Sequence, residues 1–569
     1  MNKKLQQNNL PLITNPIIDT MQLSRYINSK ATQHNLGAIS HLYHLEYNDD
    51  IAHRADFDAE VLTKVWIHMV NILESKKINN LNQLNSLIND NYYNRQFAYN
   101  YLDVYCKNNQ GFKKLYKLIS DSNTKHLYSY PRVFYHELDA IRDNFIIANA
   151  PTESVLFDTA INGTDQELTD AINYLDFVFV ASPKNLLHKI NDHDFSLEQI
   201  QTIIKKIISF ANKLNKKVIA VSDAYYLDEQ DQIGRRVYIN SKLLGGKAHR
   251  LYRYGEDNSI IPDNHLRTTK EMLDEFSFLK DKELINQIVI TNSIEFTKQI
   301  ENNLEPIKLK LYPPKIENVE EKLLEFAKQK LVEIYGDKPD ELIQNRVKKE
   351  LDSILTNKYS IIYWIAHLLV EKSLNDGFIV GSRGSVGSSF VAYLLNITEV
   401  NPLPAHYRCP KCHYTDFNVD LPDGFDLAEK TCPHCGAKLI GDGHNIPFET
   451  FLGFRGEKTP DIDLNFSGLY QSTAHEFIRD LFGHEHTYRA GTIATVADKT
   501  AFGYVKTYFE RTQPDQVVSS AYIDWIASKC VDVKRTTGQH PGGIIIVPKD
   551  MSVFDFTPYQ YSADDKSLT

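Results

Sequence analysis

The sequence predicts a multidomain protein that combines α/β and α+β folds, and three observations support this prediction. The chain has 569 residues, 42% of them hydrophobic, which is enough for roughly three to five domains of about 100–200 residues each. Residues 95–275 alternate short β-like runs with amphipathic helices, as α/β domains do. From residue 377 onward, after two helical segments, the chain becomes rich in Gly, Cys and Asp.

The N-terminal region, up to about residue 75, has the pattern of helices separated by loops. Its clearest helical segment is FDAEVLTKVWIHMVNIL, in which apolar residues recur at helical spacing. The Asn-rich stretch from 76 to 91 that follows is expected to be a linker.

Within 95–275, three apolar runs are predicted to be strands: NFIIANA, DFVFVAS and KVIAVSDAYYL. The segment LEQIQTIIKKIISFANKLN is predicted to be an amphipathic helix. Further along, the two consecutive prolines of LKLYPPKI interrupt regular structure. They predict a domain boundary or an extended connection.

Composition and charge limit the classes of protein to which the chain can belong. The longest apolar stretch, at 361–370, has ten residues, against the roughly 18–20 needed to cross a bilayer. The N-terminus lacks the apolar core of a signal peptide, so we expect a cytoplasmic protein without a membrane partner. A net charge of −10 would repel a phosphate backbone, so any nucleic acid would have to be bound by local basic patches.

Four of the six cysteines form two CxxC pairs separated by nineteen residues, which is the spacing of a zinc ribbon. They are Cys409, Cys412, Cys432 and Cys435. Four thiolates leave no open position for water on a tetrahedral Zn²⁺, so the predicted zinc is structural. Two other interpretations stay open: unliganded thiols, or a site in which His413 or His434 replaces a cysteine.

A pair of aspartates, Asp461 and Asp463, lies in the alternating segment PDIDLNF. On a strand this alternation would place both carboxylates on one face and the apolar residues on the other. Two close carboxylates repel each other unless a cation lies between them, and Mg²⁺ is the expected cation. The short pattern also fits an ordinary half-exposed edge strand.

A glycine-rich turn follows a short apolar run and precedes a helical segment. We expect its backbone N–H groups and the helix N-terminus to bind phosphate, with Arg383 as a bidentate clamp. The candidate residues are Gly381, Ser382, Arg383, Gly384 and Ser385. The turn lacks the P-loop pattern, and a purely structural turn is the alternative.

Six blocks in this order resemble PolC, the DNA polymerase III of low-GC Gram-positive bacteria and their wall-less relatives. They are the glycine-rich turn, ITEVNPLP, the two CxxC pairs, FETFLGFRGEKTPDIDLNFSG, RAGTIATVADKTAFGYVK and VKRTTGQHPGGIIIVP. The resemblance is close from about residue 340 and looser before it. It implies a replicative DNA-directed DNA polymerase that adds deoxynucleotides to a primer 3′-end.

The resemblance also implies a domain plan. Residues 320–468 would form a polymerase-β-like palm with the ribbon inserted at 405–440, and 469–530 a thumb-like helical segment. Residues 531–569 would return to the palm in a loop. In this plan Asp461 and Asp463 bind Mg²⁺ and the residues around Arg383 face the incoming triphosphate. Three residues of the returning loop would contact DNA phosphates, unless the loop is only a solvated basic turn: Lys534, Arg535 and His540.

Two further domains follow from the resemblance. His53 and Asp58 match the last motif of a 3′–5′ proofreading exonuclease, so residues 1–76 would be the end of that domain, with His53 as general base and Asp58 as Mg²⁺ ligand. A spacing of five would put them about one helical turn apart; an ordinary polar helix face is the alternative. Residues 95–275 would be the later part of a PHP-like domain. There Tyr225 stands where the family has a histidine ligand, so we expect a scaffold without metal.

The expected partners are primer–template DNA, deoxynucleoside triphosphates, and the sliding clamp and other replisome subunits of the parent protein. We found neither the third palm carboxylate nor the first exonuclease carboxylates, so we expect an internal fragment that is inactive in isolation. Two rival functions stay open. They are a non-catalytic, zinc-stabilised nucleic-acid-binding module and a stand-alone exonuclease.

Overall fold

The computed structural model describes residues 2–15, 17–48, 50–86, 100–127, 130–191, 195–241, 248–253, 260–454, 456 and 458–561. The chain divides into two compact units. The first consists of residues 1–308, 491–539 and 554–569, and the second of residues 309–490 and 540–553. Among the described residues, no helix has the length and apolar character needed to cross a membrane.

The N-terminal part of the first unit is helical, as predicted. Its longest helix buries Val61, Val65, Met69 and Leu73 at intervals of four, because these positions share one face of a helix. The helices are α1 (Asn2–Gln7), α2 (Thr20–Ile27), α3 (Leu36–Leu42), α4 (Ala55–Ser75) and α5 (Leu81–Ser86).

A four-stranded sheet forms the centre of the first unit, and the three predicted strands lie in it. Its strands, in spatial as well as sequence order, are β1 (Leu102–Cys106), β2 (Phe145–Asn149), β3 (Phe177–Ala181) and β4 (Lys217–Val221). β1 is antiparallel to β2, with Leu102 opposite Asn149, while β2, β3 and β4 are parallel. The α/β prediction for this region is therefore confirmed.

Both faces of this sheet are covered, which explains why its strands are almost continuously apolar. Ile147, Val178 and Val218 point into the larger core, together with residues from the surrounding helices. Ile146 and Phe179 point to the other face, where they pack against Phe296. The flanking helices include α6 (Asn109–Asn123), α7 (Tyr135–Asp139), α8 (Val155–Asn162), α9 (Asp165–Asn173), α10 (Leu187–Asn191) and α11 (Leu197–Lys213).

Further helices complete this part of the first unit. They are α12 (Gln232–Asn240), α13 (Thr269–Glu275), α14 (Lys282–Asn286) and α15 (Asn292–Thr297), with a π-helical turn at Gln287–Thr291 between the last two. The segment with two prolines has no regular secondary structure, in agreement with the prediction.

The second unit starts with α16 (Val319–Tyr335), α17 (Glu341–Thr356) and α18 (Ser360–Asn375), followed by β5 (Val380–Arg383) and α19 (Phe390–Leu394). The ribbon region contains β6 (His406–Arg408), β7 (Thr415–Asp416) and β8 (Ile440–Asp442). α20 (Glu449–Leu452), β9 (Asp463–Phe466) and α21 (Gln471–Phe482) follow. One buried core of the second unit contains Tyr363, Val391 and Phe451, from α18, α19 and α20.

The last part of the chain differs from the prediction in two ways. Residues 469–530 are not helical throughout, since β10 (Thr487–Thr495) precedes α22 (Asp498–Thr512) and α23 (Ser520–Ser528). The expected returning loop is instead a strand, β11 (Lys534–Ile546), which pairs with β10. Threonines and isoleucines near both ends of this segment favour extended backbone, and the glycines between them concealed that preference.

Within the first unit, α12 packs against α22 and α23. Val237 of α12 lies in the same buried cluster as Val505 and Ile526. Lys529, which follows α23, forms an ion pair at 2.9 Å with Asp231, which precedes α12. The approach is close because Gly234 has no side chain, and a Cβ there would lie 2.7 Å from the Cβ of Lys529.

This close approach predicts opposite effects for two helical Gly→Ala changes. Gly503→Ala in α22 places its methyl group in open space and should stabilise the first unit by up to about 1 kcal/mol through helix propensity. Gly234→Ala should destabilise it, because the methyl group displaces Lys529. Hydrogen exchange of residues 498–530 measures both effects. Equal protection in the two variants would contradict the close packing.

Candidate active site and metal centre

Of the paired aspartates, Asp463 lies on a two-stranded antiparallel sheet in the second unit, and Asp461 comes just before this sheet in the chain. β5 pairs with β9 so that Arg383 is opposite Asp463 and Gly381 is opposite Asn465. Nη2 of Arg383 donates a hydrogen bond to Oδ2 of Asp463 at 3.1 Å. The glycine-rich turn and the aspartate pair, more than seventy residues apart in sequence, are therefore adjacent.

The predicted alternation is confirmed for part of the segment. Ile462 and Leu464 pack against the core of the second unit, which leaves Asp463 half-exposed at the other side. The strand begins at Asp463, so Asp461 precedes it and is exposed. The prediction that Asp461 itself lies on the strand is wrong, because regular pairing with β5 starts two residues later.

The aspartates are accessible to a cation. Side chains of Arg383 and Asp463 are 67% and 47% exposed, and an ion pair this exposed contributes less than about 1 kcal/mol. A divalent cation could therefore displace Arg383 at little cost. Carboxylate oxygens suit Mg²⁺, but among the described residues no cluster of three or more metal-ligating side chains includes Asp461 or Asp463.

The glycine-rich turn has the predicted order of strand, turn and helix. Arg383 ends β5, Gly384–Ser388 form a 3-10 turn and α19 follows. Gly384 has φ of +78°, and a Cβ at Gly381 or Gly384 would meet no atom within 4 Å. A ligand can thus approach the backbone closely at this edge of the turn.

The N-terminus of α19 does not match the predicted phosphate site, because a carboxylate of the protein already occupies it. Glu350 of α17 accepts hydrogen bonds from the backbone N–H groups of Phe390 and Val391, both at 3.0 Å. Ser389 Oγ donates to the same carboxylate at 2.8 Å and accepts from the N–H of Ala392. Phosphate at this turn would have to use the edge around Arg383.

Glu350 is completely buried and pairs with a neighbour on its own helix. Nε of Arg346 lies 2.5 Å from Oε1 of Glu350. Burial raises the pKa of Glu350, while Arg346 and the two backbone N–H groups act in the opposite direction. Burial also raises the pKa of the adjacent Tyr363 far above its usual value. This pair is not predicted from the sequence, since an Arg and a Glu four residues apart usually lie on an exposed helix face.

The four predicted cysteine ligands converge. Sγ of Cys409 lies 3.4 Å from Sγ of Cys435, and Sγ of Cys412 lies 3.5 Å from Sγ of Cys432. All four sulfur atoms lie within 4.8 Å of one another, so they fit the tetrahedral thiolate shell of Zn²⁺. This cluster excludes His413, whose Nδ1 donates instead to the carbonyl of Ile334 at 3.3 Å.

The predicted DNA-binding residues all lie on β11. Lys534 and His540 are exposed and Arg535 is half-buried. Nδ1 of His540 accepts from the N–H groups of Gly542 and Gly543, at 3.2 and 2.7 Å. The ring proton of neutral His540 is therefore on Nε2.

Arg489 of β10 binds the backbone of β11. Its Nη2 donates to the carbonyls of His540 and Pro541, at 2.9 and 2.7 Å. Its Nη1 donates to Nδ1 of His475 at 2.8 Å. Burial, followed by Arg489 and Arg479, lowers the pKa of His475 to about 4, so this contact persists at neutral pH.

The exonuclease candidates are not arranged as predicted. His53 lies in the turn before α4 with φ of +72°, so it and Asp58 are not one helical turn apart on a helix. The helix starts only at Ala55. Oδ1 of Asp58 is nevertheless buried without a hydrogen-bond partner in the described part of the chain, which leaves it available as a ligand.

A cleft of about 420 Å³ lies at the sheet edge where the parallel strands of the first unit end. Its walls include Asp103, Asp223 and Tyr225, and also Arg250 and Glu153, which form an ion pair with each other. Burial, followed by repulsion from Asp223, raises the pKa of Asp103 to about 6. Among the described residues, potential ligands of a metal converge instead at the four cysteines and at the exposed group Glu476, Asp480 and His484.

The chain is similar to known proteins over its whole length. Residues 321–525 and 510–569 match the family described as the bacterial DNA polymerase III alpha NTPase domain. The DNA polymerase III PolC-type of Ureaplasma parvum serovar 3 is 43% identical over an alignment of 572 positions that covers 100% of this chain and 39% of that protein. The Bacillus subtilis protein of the same name is 41% identical over 554 residues, 97% of this chain and 38% of its own length.

The same name belongs to a Mycoplasma pneumoniae protein that is 41% identical over 99% of this chain and 39% of its own length. The chain thus spans about 39% of the length of the curated relatives it matches.

The cysteine geometry predicts one tightly bound zinc ion per chain. Elemental analysis of the purified protein should give one equivalent, and Cys432→Ser should lose it because three thiolates bind much more weakly. Cys530→Ser is the matched control, since that buried cysteine is remote in sequence from the cluster and its Sγ contacts the carbonyl of Gly234. Zinc loss on His413→Ala, or full zinc content in Cys432→Ser, would contradict the four-cysteine assignment.

Proposed function

The chain belongs to the PolC-type DNA polymerase III family, and we propose that its second unit carries part of a nucleotidyl-transfer site. The observation that supports this most strongly is the pairing of β5 with β9. It brings a basic, glycine-rich turn beside the half-exposed carboxylate of Asp463, and the exposed Asp461 lies two residues earlier in the chain. A triphosphate and the metal ions that accompany it need this combination of charges.

In the proposed reaction Asp461 and Asp463 hold Mg²⁺, which when bound activates the primer 3′-hydroxyl and neutralises the triphosphate. Arg383 exchanges its hydrogen bond with Asp463 for one to a phosphate oxygen. The hydroxyl groups of Ser382 and Ser385 and the open backbone at Gly381 and Gly384 complete the phosphate contacts. The substrates are primer–template DNA and a deoxynucleoside triphosphate. A bond forms between the primer 3′-oxygen and the α-phosphorus while the bond from the α-phosphorus to the bridging oxygen breaks, so the products are a primer longer by one deoxynucleotide, pyrophosphate and a proton.

We assign DNA contact to β11. Lys534 and Arg535 supply positive charge for the phosphate backbone of an otherwise acidic protein. His540 supplies a directed donor, because its Nδ1 is engaged by two backbone N–H groups and its Nε2–H faces away from them. Arg489 holds the backbone at His540 through a hydrogen bond to the carbonyl of that residue.

The N-terminal helices are proposed to end a 3′–5′ proofreading exonuclease. Asp58 would bind Mg²⁺ through its unpartnered Oδ1, and His53 would take a proton from the attacking water. The turn that holds His53 would have to bring its ring toward Asp58 for this chemistry.

The cleft of the first unit is proposed to be a PHP-like scaffold without metal. Tyr225 takes the place of a histidine ligand, and the guanidinium of Arg235 lies 3.9 Å above its ring. A second arginine, Arg250, pairs with Glu153. These two cations supply positive charge to a cleft in which related domains bind metal ions. A metal content above the single zinc equivalent, lost on Asp223→Asn, would overturn this proposal.

The sliding clamp and other replisome subunits remain proposed partners of the full-length protein. A non-catalytic nucleic-acid-binding module would also use the zinc ribbon and β11. It would bind primer–template DNA without incorporating nucleotides. A stand-alone exonuclease would shorten primers without extending them, so one gel assay with and without nucleotides separates the three functions.

Loss of either aspartate should abolish primer extension. In the full-length gene product with Mg²⁺ and all four nucleotides, Asp461→Ala and Asp463→Ala should each reduce kcat by at least about a thousandfold, since each removes a metal ligand. Asp352→Asn, which removes an exposed carboxylate from α17, is the matched control and should leave extension unchanged. Full extension by either aspartate variant would refute the metal assignment.

Asp58→Asn should abolish removal of a mismatched 3′-nucleotide and leave primer extension intact. The adjacent Asp56→Asn is the control, because Asp56 is exposed and already paired with Arg54 at 2.8 Å. Time courses on a mismatched primer without nucleotides measure the reaction. If Asp58→Asn degrades the primer at the normal rate, residues 1–76 do not contribute the exonuclease metal ligand.

A further inference from the structure

We propose that Arg346 and Glu350, an ion pair of α17 whose carboxylate is fully buried, are positioning residues for the incoming nucleotide. This inference rests on the proposed nucleotidyl-transfer function. Neither residue reaches the exposed surface where Arg383 and Asp463 meet. Both act through the backbone segments that carry those two side chains.

Glu350 fixes the far end of the glycine-rich turn. Its carboxylate receives the N–H groups of Phe390 and Val391 and the hydroxyl of Ser389. The N–H of Ser389 in turn donates to the carbonyl of Val386 at 3.0 Å. The last turn before α19 is thereby tied to a fully buried charge.

Arg346 connects the turn to the segment that leads to the aspartates. One nitrogen, Nη2, donates to the carbonyl of Ser388 at 2.7 Å and to that of Ile446 at 3.0 Å. Ser388 belongs to the turn after Arg383, and Ile446 precedes α20 and the aspartate segment. A single guanidinium thus sets the spacing between the two chain segments that form the site.

Residues just after the end of α17 also contact the chain shortly before the aspartates. A Cβ at Gly456 would lie 2.3 Å from Nδ2 of Asn357, just after the end of α17. The hydroxyl of Tyr359 donates to the carbonyl of Gly456 at 3.2 Å. α17 and the residues just after it therefore contact both chain segments that carry the site residues, and Arg346 contacts the two segments at once.

Occupation of the α19 N-terminus by Glu350 has a consequence for the substrate. A negative carboxylate there repels phosphate, so the triphosphate is directed to the edge of the turn that carries Arg383. Loss of the pair would let the turn move relative to β9. The affinity for nucleotide should then fall while the affinity for primer–template DNA stays the same.

The test uses steady-state primer extension by the full-length gene product. Arg346→Lys keeps the charge next to Glu350 but loses the fork that reaches both carbonyls. We expect it to raise KM for the deoxynucleoside triphosphate roughly tenfold, with kcat nearly unchanged, as expected when a nucleotide-binding interaction is lost. Binding of primer–template DNA, measured by fluorescence anisotropy, should not change.

A double variant separates positioning from stability. Arg346→Met combined with Glu350→Leu replaces the ion pair by apolar side chains, a change that often preserves stability. It removes every hydrogen bond that the side chains of Arg346 and Glu350 make, so KM should stay high although the protein is stable. If KM instead returns to the wild-type value along with stability, the pair is only structural.

Arg267→Met is the matched control for damage to a buried ion pair. Arg267 is fully buried in the first unit and lies 3.2 Å from Asp263. It should lower stability without changing KM for nucleotide. An equal rise of KM in this control would also overturn the inference. If the wild-type protein incorporates no nucleotide at all, the proposed function itself fails, which is a different outcome.

Discussion

The second unit depends on one buried carboxylate. Glu350 has no exposed surface, and removing a carboxylate from water costs several kcal/mol unless its charge is compensated. Arg346, Ser389 and two backbone N–H groups supply that compensation. Each of these partners comes from a specific point in the chain, so the requirement to satisfy Glu350 fixes α17, the glycine-rich turn and α19 in one arrangement. The exposed contact of Arg383 with Asp463 follows from that arrangement and contributes little to it.

In the first unit, too, buried contacts hold the fold while charged side chains lie at a more accessible site. Its sheet is held by apolar packing on both faces, which leaves the cleft at the strand ends free to carry charge. α12 links this cleft to α22 and α23. Arg235 of this helix lies over Tyr225 in the cleft, while Val237 packs among the residues of α22 and α23. α12 therefore contacts both the cleft and the helices α22 and α23.

Much of the fold and of the candidate site could be predicted from the sequence, because the patterns that indicate them are local. Period-two alternation around Asp463 and the apolar runs of the central sheet gave strands, and the spacing of the two CxxC pairs gave a cluster that the structure contains. The differences between prediction and structure have two physical causes. The spacing of five between His53 and Asp58 suggests one helical turn, but the turn before Ala55 decides the position of His53. The role of Glu350 is not visible in a local pattern, because its partners at 389–391 are forty residues away and burial depends on the whole fold.

If Asp461 and Asp463 bind the metal ions of a nucleotidyl-transfer site beside Arg383, a crystal structure of the full-length protein with primer–template DNA, an incoming nucleotide and Ca²⁺ should show this arrangement, because Ca²⁺ supports binding without reaction. We expect Ca²⁺ on both aspartates and a phosphate oxygen within hydrogen-bonding distance of Arg383, as this assignment requires. A nucleotide bound elsewhere, with Arg383 still paired to Asp463, would contradict it.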